Sequence, residues 1–448
     1  MKRWGKVVIA AAVLCIGAYF AMKLQALKEA RSMLEAARQR GEPVTCEEFE
    51  AWLPDLPEAE NGAEVYRRAL DALHIREEEE DLLERVRSAR FAVGDPSGAS
   101  LPPEAAAQIE SALAENAEAL ALFHEAAGYE QCRYVTDYSE GPYSDVDFPW
   151  KAMRHASRLL MQRVVWAAER DDLDTAIAAL LDQAALARSL EWDPATSTWG
   201  ARLVALRFSL WGTAYLVQRH VLAEEQLRDL NTAIGALECK DHLSRVLLFE
   251  RISVVHALSD SGNAFTRRWP LRRVWKKRSR GKSISYPLAL CGYLEAAEKC
   301  LAASRKALPE GLRDVEALRE GRGILRRSLL EGHFAYSLDD TVVGSLFLRF
   351  CLEAHTVAEV RCVYTAIAIE RYRNEHGALP EALDALVPAF LDEVPIDPFD
   401  GAPLRYERLP VGYKVYTISY NGIDDGGEPP GDLEDRGEKG DHGVVIPR

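Results

Sequence analysis

Chemistry needs particular residue types at particular spacings, and most of this 448-residue chain does not offer them. His124-Glu125-Ala126-Ala127-Gly128 begins like a helix that carries two zinc-binding histidines, but the second histidine, which must sit one turn on to share the metal, is replaced by Gly128. Cys239 and His242 have a ligand-like separation without a second pair nearby, which is how chance matches look. No G-x-x-x-x-G-K-[ST], G-x-G-x-x-G or G-x-S-x-G occurs, although catalytic groups that converge from distant positions leave no such trace. The acidic run Glu77-Glu78-Glu79-Glu80-Asp81 reads as a solvated helix face or turn. Richer in potential ligands is the tail: Asn421-Gly422-Ile423-Asp424-Asp425-Gly426-Gly427-Glu428, followed by Asp432, Glu434, Asp435, Glu438 and Asp441. Carboxylates, backbone carbonyls and glycines that permit tight turning are what a Ca2+ ion wants, and they are also what a polar surface turn contains. This is not an EF-hand, because Ile423 occupies the third position of that register.

A second unusual segment is basic. Between Arg267 and Lys282 lie nine cationic residues and two tryptophans, in a chain whose formal charge is -15. The overall charge opposes general nucleic-acid binding. Locally, however, Arg267, Arg268, Trp269, Arg272, Arg273, Trp275, Lys276 and Lys277 suit an anionic lipid surface, where each cation adds about 1 kcal/mol and Trp favours the interface. A solvated loop between helices is the plainer reading of the same residues.

The elements that would position these groups are mostly helices. Lys2, Arg3 and Lys6 precede an uncharged apolar run from Val7 to Met22, the pattern of a signal anchor whose body is exported to the far side of the cytoplasmic membrane. The helical pattern continues from Leu24 to about Gln39 and stops at Gly41-Glu42-Pro43. Helical periodicity recurs at 61–90, 103–127, 151–169, 172–191, 197–221, 224–237, 241–259, 287–307 and 311–332. Within it, Leu159 to Leu190 reads as a helical hairpin, with Val164, Val165 and Ala168 facing Ala176, Ala179, Leu180 and Ala184 across a turn at Arg170-Asp171-Asp172. No fixed period marks a repeat array. The eight cysteines are scattered without C-x-x-C, as expected for small buried apolar residues.

The last hundred residues change character. A long amphipathic stretch from Thr341 ends at Glu375-His376-Gly377. There follow Leu379-Pro380, Leu383, Leu386, Pro395-Ile396-Asp397-Pro398-Phe399, Gly401, Pro403-Leu404, Tyr406, Gly412-Tyr413, Val415-Tyr416, and Ser419 through Glu428. That order resembles the soluble domain of the type II secretion major pseudopilin. The resemblance implies a long helix packed on a short antiparallel sheet, a place outside the cytoplasmic membrane, and a Ca2+ site for which Asp424, Asp425 and Asp441 are the ligand candidates. Asp339-Asp340-Thr341 is expected to cap that helix, and Leu404–Arg408 and Tyr413–Ile418 to supply two strands joined at Leu409-Pro410-Val411-Gly412.

Together these readings predict a mainly α protein with a membrane anchor (1–24), an irregular helical array or bundle (25–336) and a small α+β pseudopilin-like domain (337–448). The function they favour is that of a non-catalytic, membrane-anchored envelope protein that contacts unidentified protein partners. The competing readings are an envelope hydrolase with a site in the helical body, and a lipid or nucleic-acid binder acting through residues 267–282.

Overall fold

The computed structural model describes residues 2–75, 101–134, 138, 149–194, 196–239, 241–259, 286–325, 335–427 and 440–448, without the side chains of 2–6, 8–10, 12, 196–197, 257–259, 286–289, 319–325 and 335–345. Among them are thirteen α-helices and a three-stranded antiparallel sheet. The acidic run at 77–81 and the basic residues Arg267, Arg268, Trp269, Arg272, Arg273, Trp275, Lys276 and Lys277 lie outside the described residues.

Helix α1 (Lys2–Gln39) joins the apolar run and the stalk without a break. Its second half turns Ala26, Ala30 and Ala37 into the body, where small side chains let it lie close along α11 (Tyr286–Ser304). In its first half the described side chains of Val7, Val13, Leu14, Ile16 and Phe20 are all exposed. Among the described residues, no helix is long and apolar enough to cross a membrane.

Short helices α2 (Cys46–Trp52) and α3 (Ala63–Asp71) follow. The pattern expected as one helix over 103–127 divides at Asn116 into α4 (Pro103–Glu115) and α5 (Ala117–Ala127), and the Asn116 side chain bonds the carbonyls of Ala112 and His74. Helices α6 (Trp150–Ala168) and α7 (Leu173–Ser189) form the expected hairpin. Asp171 adopts a positive φ in the turn, and the Asp172 carboxylate caps α7 by accepting from the Thr175 amide at 3.2 Å. All seven of the predicted facing residues are buried. Helices α8 (Thr196–Arg219), α9 (Glu224–Gly235), α10 (His242–Ser259), α11 and α12 (Leu308–Leu325) complete the body.

The final helix, α13 (Ala335–His376), runs 42 residues. Because it already begins at Ala335, residues 339–341 lie inside it and not at its N-cap. Near Phe347, Phe350 and Ala354 it packs on α11 and α12; from Val360 to Ile369 it sits between the body helices α8 and α9 and the sheet. Enclosed on both sides, it buries the consecutive residues Ala366, Ile367, Ala368 and Ile369, so the single apolar stripe expected from sequence is there a helix buried all round. Strand β1 (Arg405–Arg408) pairs with β2 (Tyr413–Thr417), and β2 with β3 (His442–Ile446). The third strand was not expected. Its five residues follow an acidic, Gly-rich stretch, and only Val444 and Ile446 reach the core.

One hydrophobic cluster unites the α6–α7 hairpin, α8, α9, the C-terminal half of α13 and the sheet. Polar contacts stitch the same boundary: Arg448 Nε donates to the Val217 carbonyl at 2.7 Å, Gln218 Nε2 to that of Val445 at 2.9 Å, Asn374 Nδ2 to that of Leu222 at 2.9 Å, and Arg371 Nε to Glu224 at 3.0 Å. The sheet-bearing C-terminal module is thereby a wall of the body's own core.

Candidate functional site

The sheet places the acidic tail. The loop after β2 leaves one end of the strand, and Asp441 precedes β3 beside it, so residues far apart along the tail face one another. Asp425 Oδ2 accepts from the Asn421 side chain at 3.2 Å and from the Gly440 amide at 2.9 Å. Reciprocally, Asp441 Oδ2 accepts from the Gly427 amide at 2.8 Å. These two carboxylate–amide bonds close the base of the segment 428–439, which lies outside the described residues. Positive φ at Gly426, Gly427 and Gly440 allows the turns.

Asp441 is buried, and its Oδ1 has no hydrogen-bond partner among the described residues. Burial pushes its carboxyl above the usual range, and the charges of Asp424 and Asp425 push it further, so the three predicted ligand residues do stand near one another. Asp424, in contrast, is half exposed and held low, first by the Gly426 amide and then by Tyr416 and Arg405.

Two cations that were not singled out from sequence already serve this end of the sheet. Arg405 on β1 meets Asp397 at 2.6 Å, Asp400 at 2.6 Å and Asp424 at 3.3 Å, one carboxylate for each nitrogen of its guanidinium. Asp397 is fully buried and also accepts from the amides of Phe399 and Ile418, both at 2.8 Å, so it ties the Pro395–Phe399 turn to β2. Burial nevertheless pushes its carboxyl up to about 6. Lys414 on β2 donates to the Gly426 carbonyl and pairs with Glu407 at 2.7 Å. The one signal in sequence was position: Arg405 and Lys414 fall on alternating strands next to an acidic loop.

A Ca2+ ion needs six to eight oxygens around it. Among the described residues no three His, Cys, Asp or Glu side chains form a group that could hold a metal. The described donors do not fit a Ca2+ site: Asp424 faces an arginine, Asp425 and Asp441 bond backbone amides, and a lysine ammonium takes the Gly426 carbonyl. Only Asp441 Oδ1 is left over. It borders a cavity of about 10 Å³ lined also by Lys414, Tyr416, Gly427 and Gly443, room for about one water.

The other sequence candidates separate. Cys239 donates its thiol to Glu191 at 2.8 Å, while His242 is fully buried with neither ring nitrogen hydrogen-bonded among the described residues. Burial holds His242 well below the usual histidine range, helped by Arg202 and Arg245. All eight cysteines are free, and five are buried. His124 has a partner that sequence did not reveal: its Nδ1 lies 3.0 Å from Oδ1 of Asp182.

No protein-family model, curated protein or solved structure matches this chain.

Proposed function

We propose that this protein is a membrane-attached contact protein of the cell envelope, held at the cytoplasmic membrane by residues 7–22, with its helical body and sheet-bearing C-terminal module exported and presented to protein partners. The observation that carries the reading is the all-round apolar exposure of the first half of α1. Val13, Leu14 and Ile16 are 63%, 73% and 57% exposed and point in directions about 100° apart per residue. A groove on a partner covers one side of a helix, whereas hydrocarbon covers every side. Each such side chain left in water forgoes about 1.5–3 kcal/mol. The short apolar run is flanked in sequence by Lys6 and Lys23, and the Lys23 ammonium, 4.7 Å from the Tyr19 ring, can reach the interface.

The resemblance of residues 337–448 to the pseudopilin soluble domain supports an exported orientation and a role in contacts related to secretion. Fusion of that module into the body's core makes it a fixed face of this protein, and the basic residues 267–282 add an anionic-lipid contact to the same membrane-facing reading.

The test is extraction. The full chain should stay with membranes in alkaline carbonate and be released by detergent, and Leu14→Glu with Ile16→Glu should shift it to the carbonate supernatant. Release of the unaltered chain by carbonate would refute the anchor. A reporter fused after Arg448 that is active only in the cytoplasm would refute the orientation.

A further inference from the structure

Helix α1 carries the apolar run and the stalk as one element, and no glycine or proline occurs between Gly17 and Gly41 to bend it. The direction set by the run is therefore passed on to whatever the stalk holds. The stalk holds α11, and the cross-helix pairs fix how the two lie. Cys291 donates its thiol to Glu29 at 3.5 Å, Arg40 pairs with Glu298 further along, and Arg305 just past the end of α11 reaches Glu42 at 2.7 Å. Residue numbers rise together on the two elements, so α1 and α11 run parallel, with Ala30 packed in the same cluster as Leu294 and Ala297.

Heights along that shared axis follow from the helical rise. Below the level of Glu29 and Cys291, Met22 at the end of the apolar run lies seven residues back, about 10 Å, and Tyr286 at the start of α11 lies five residues back, about 8 Å. The first turn of α11 therefore stands within about 3 Å of the level at which the apolar run ends. A headgroup layer is about 5–7 Å deep on each side of a bilayer, so hydrocarbon around the run sets that first turn among the headgroups. Helix α12 packs on α11 from the far end, where Gly311 meets the Ala303 carbonyl, and turns back toward the same side. On α1 itself, Lys23 flanks the run and the exposed Lys28 follows about 9 Å above Met22, within reach of phosphate along its own flexible stem.

We propose that the end of the body at the first turn of α11 rests in the phospholipid headgroup layer, so that α1 acts as a strut that holds the body upright on the membrane and not as a tether on which it swings. The inference rests on the attachment proposed above and adds to it a second lipid-facing surface and a fixed orientation. The strut is rigid because two features coincide: α1 has no hinge between the run and Ala26, its first buried residue in the stalk, and the Arg251 contacts to Glu42, Pro43 and Glu298 lock its far end to α10 and α11.

The experiment places the full chain, 15N-labelled, in phosphatidylcholine–phosphatidylglycerol nanodiscs with and without a lipid that carries a nitroxide on its headgroup. The amides of residues 290–293 should lose most of their signal to the nitroxide, and those of 301–304, about 16 Å further along α11, should keep most of theirs. Leu24→Pro, which interrupts α1 between the run and the body, should leave the chain in the nanodiscs and even out the two sets. Equal signal loss at the two sets in an unaltered chain that co-elutes with the nanodiscs would overturn this inference and leave the attachment standing. A chain that elutes apart from the nanodiscs would overturn both. A difference that survives Leu24→Pro would overturn the strut.

Discussion

Replacing Arg251 with Met tests how the stalk is fastened to the body. Arg251 is fully buried; its Nη1 meets Glu42 at 2.8 Å and Glu298 at 2.7 Å, and its Nη2 donates to the Pro43 carbonyl at 2.9 Å. Glu42 also receives Arg40 at 2.9 Å and Arg305 at 2.7 Å. The cluster thus binds the end of α1 to α10 and α11. Removing one member of a buried pair costs about 3–5 kcal/mol, because its partners remain desolvated. The pH dependence gives a second estimate. Burial raises the Glu42 carboxyl, but hydrogen bonds from Arg40, Arg251 and Arg305 outweigh it and hold the group at about 2, from an ordinary 4.5. A depressed carboxyl contributes its stability fully above its unfolded value and loses it as pH falls through the folded one. Glu42 should therefore contribute about 3 kcal/mol above pH 5, vanishing toward pH 2. Hydrogen exchange reads this locally. In Arg251→Met the amides of residues 26–39 should exchange about a hundredfold faster at pH 7, the equivalent of about 3 kcal/mol, with a smaller difference at pH 3. Exchange rates within threefold of the unaltered chain at pH 7 would refute the reasoning.

Two further outcomes follow from the sheet. Gly412 has φ +84°, and a Cβ there would stand 1.7 Å from the Ile446 carbonyl oxygen, so Gly412→Ala must separate β2 from β3; chemical denaturation should show a loss of at least about 2 kcal/mol, and an unchanged midpoint would discount the close approach. Since Arg405 already pairs with Asp424 and backbone amides take Asp425 and Asp441, the full chain should melt at the same temperature in millimolar Ca2+ as in chelator; a rise that Asp441→Asn abolishes would place an ion on Asp441.

Local pattern was enough for the α6–α7 hairpin, because amphipathic periodicity and a capping Asp172 act within a few residues, whereas the helix expected over 61–90 already ends at Asp71 and that over 103–127 divides at Asn116. The first two strands were legible for the same reason, as alternation about a Gly412 turn. Strand β3 was not, since five residues after an acidic stretch form a strand only when β2 offers its edge. The acidic tail announced its composition, yet whether its carboxylates face a metal, an amide or a guanidinium depends on where β1 and β2 set Arg405 and Lys414. Burial of polar groups was the least legible property of all. Glu42 and Arg251 stand 209 residues apart, and His124 and Asp182 stand 58 apart. Each is an ordinary charged or polar residue by itself; only packing removes the water from Glu42, Arg251 and Asp182 and brings their partners to them. The apolar run at Val7–Met22 is the opposite case: its composition is apolar throughout, and its described side chains Val13, Leu14, Ile16 and Phe20 are left exposed.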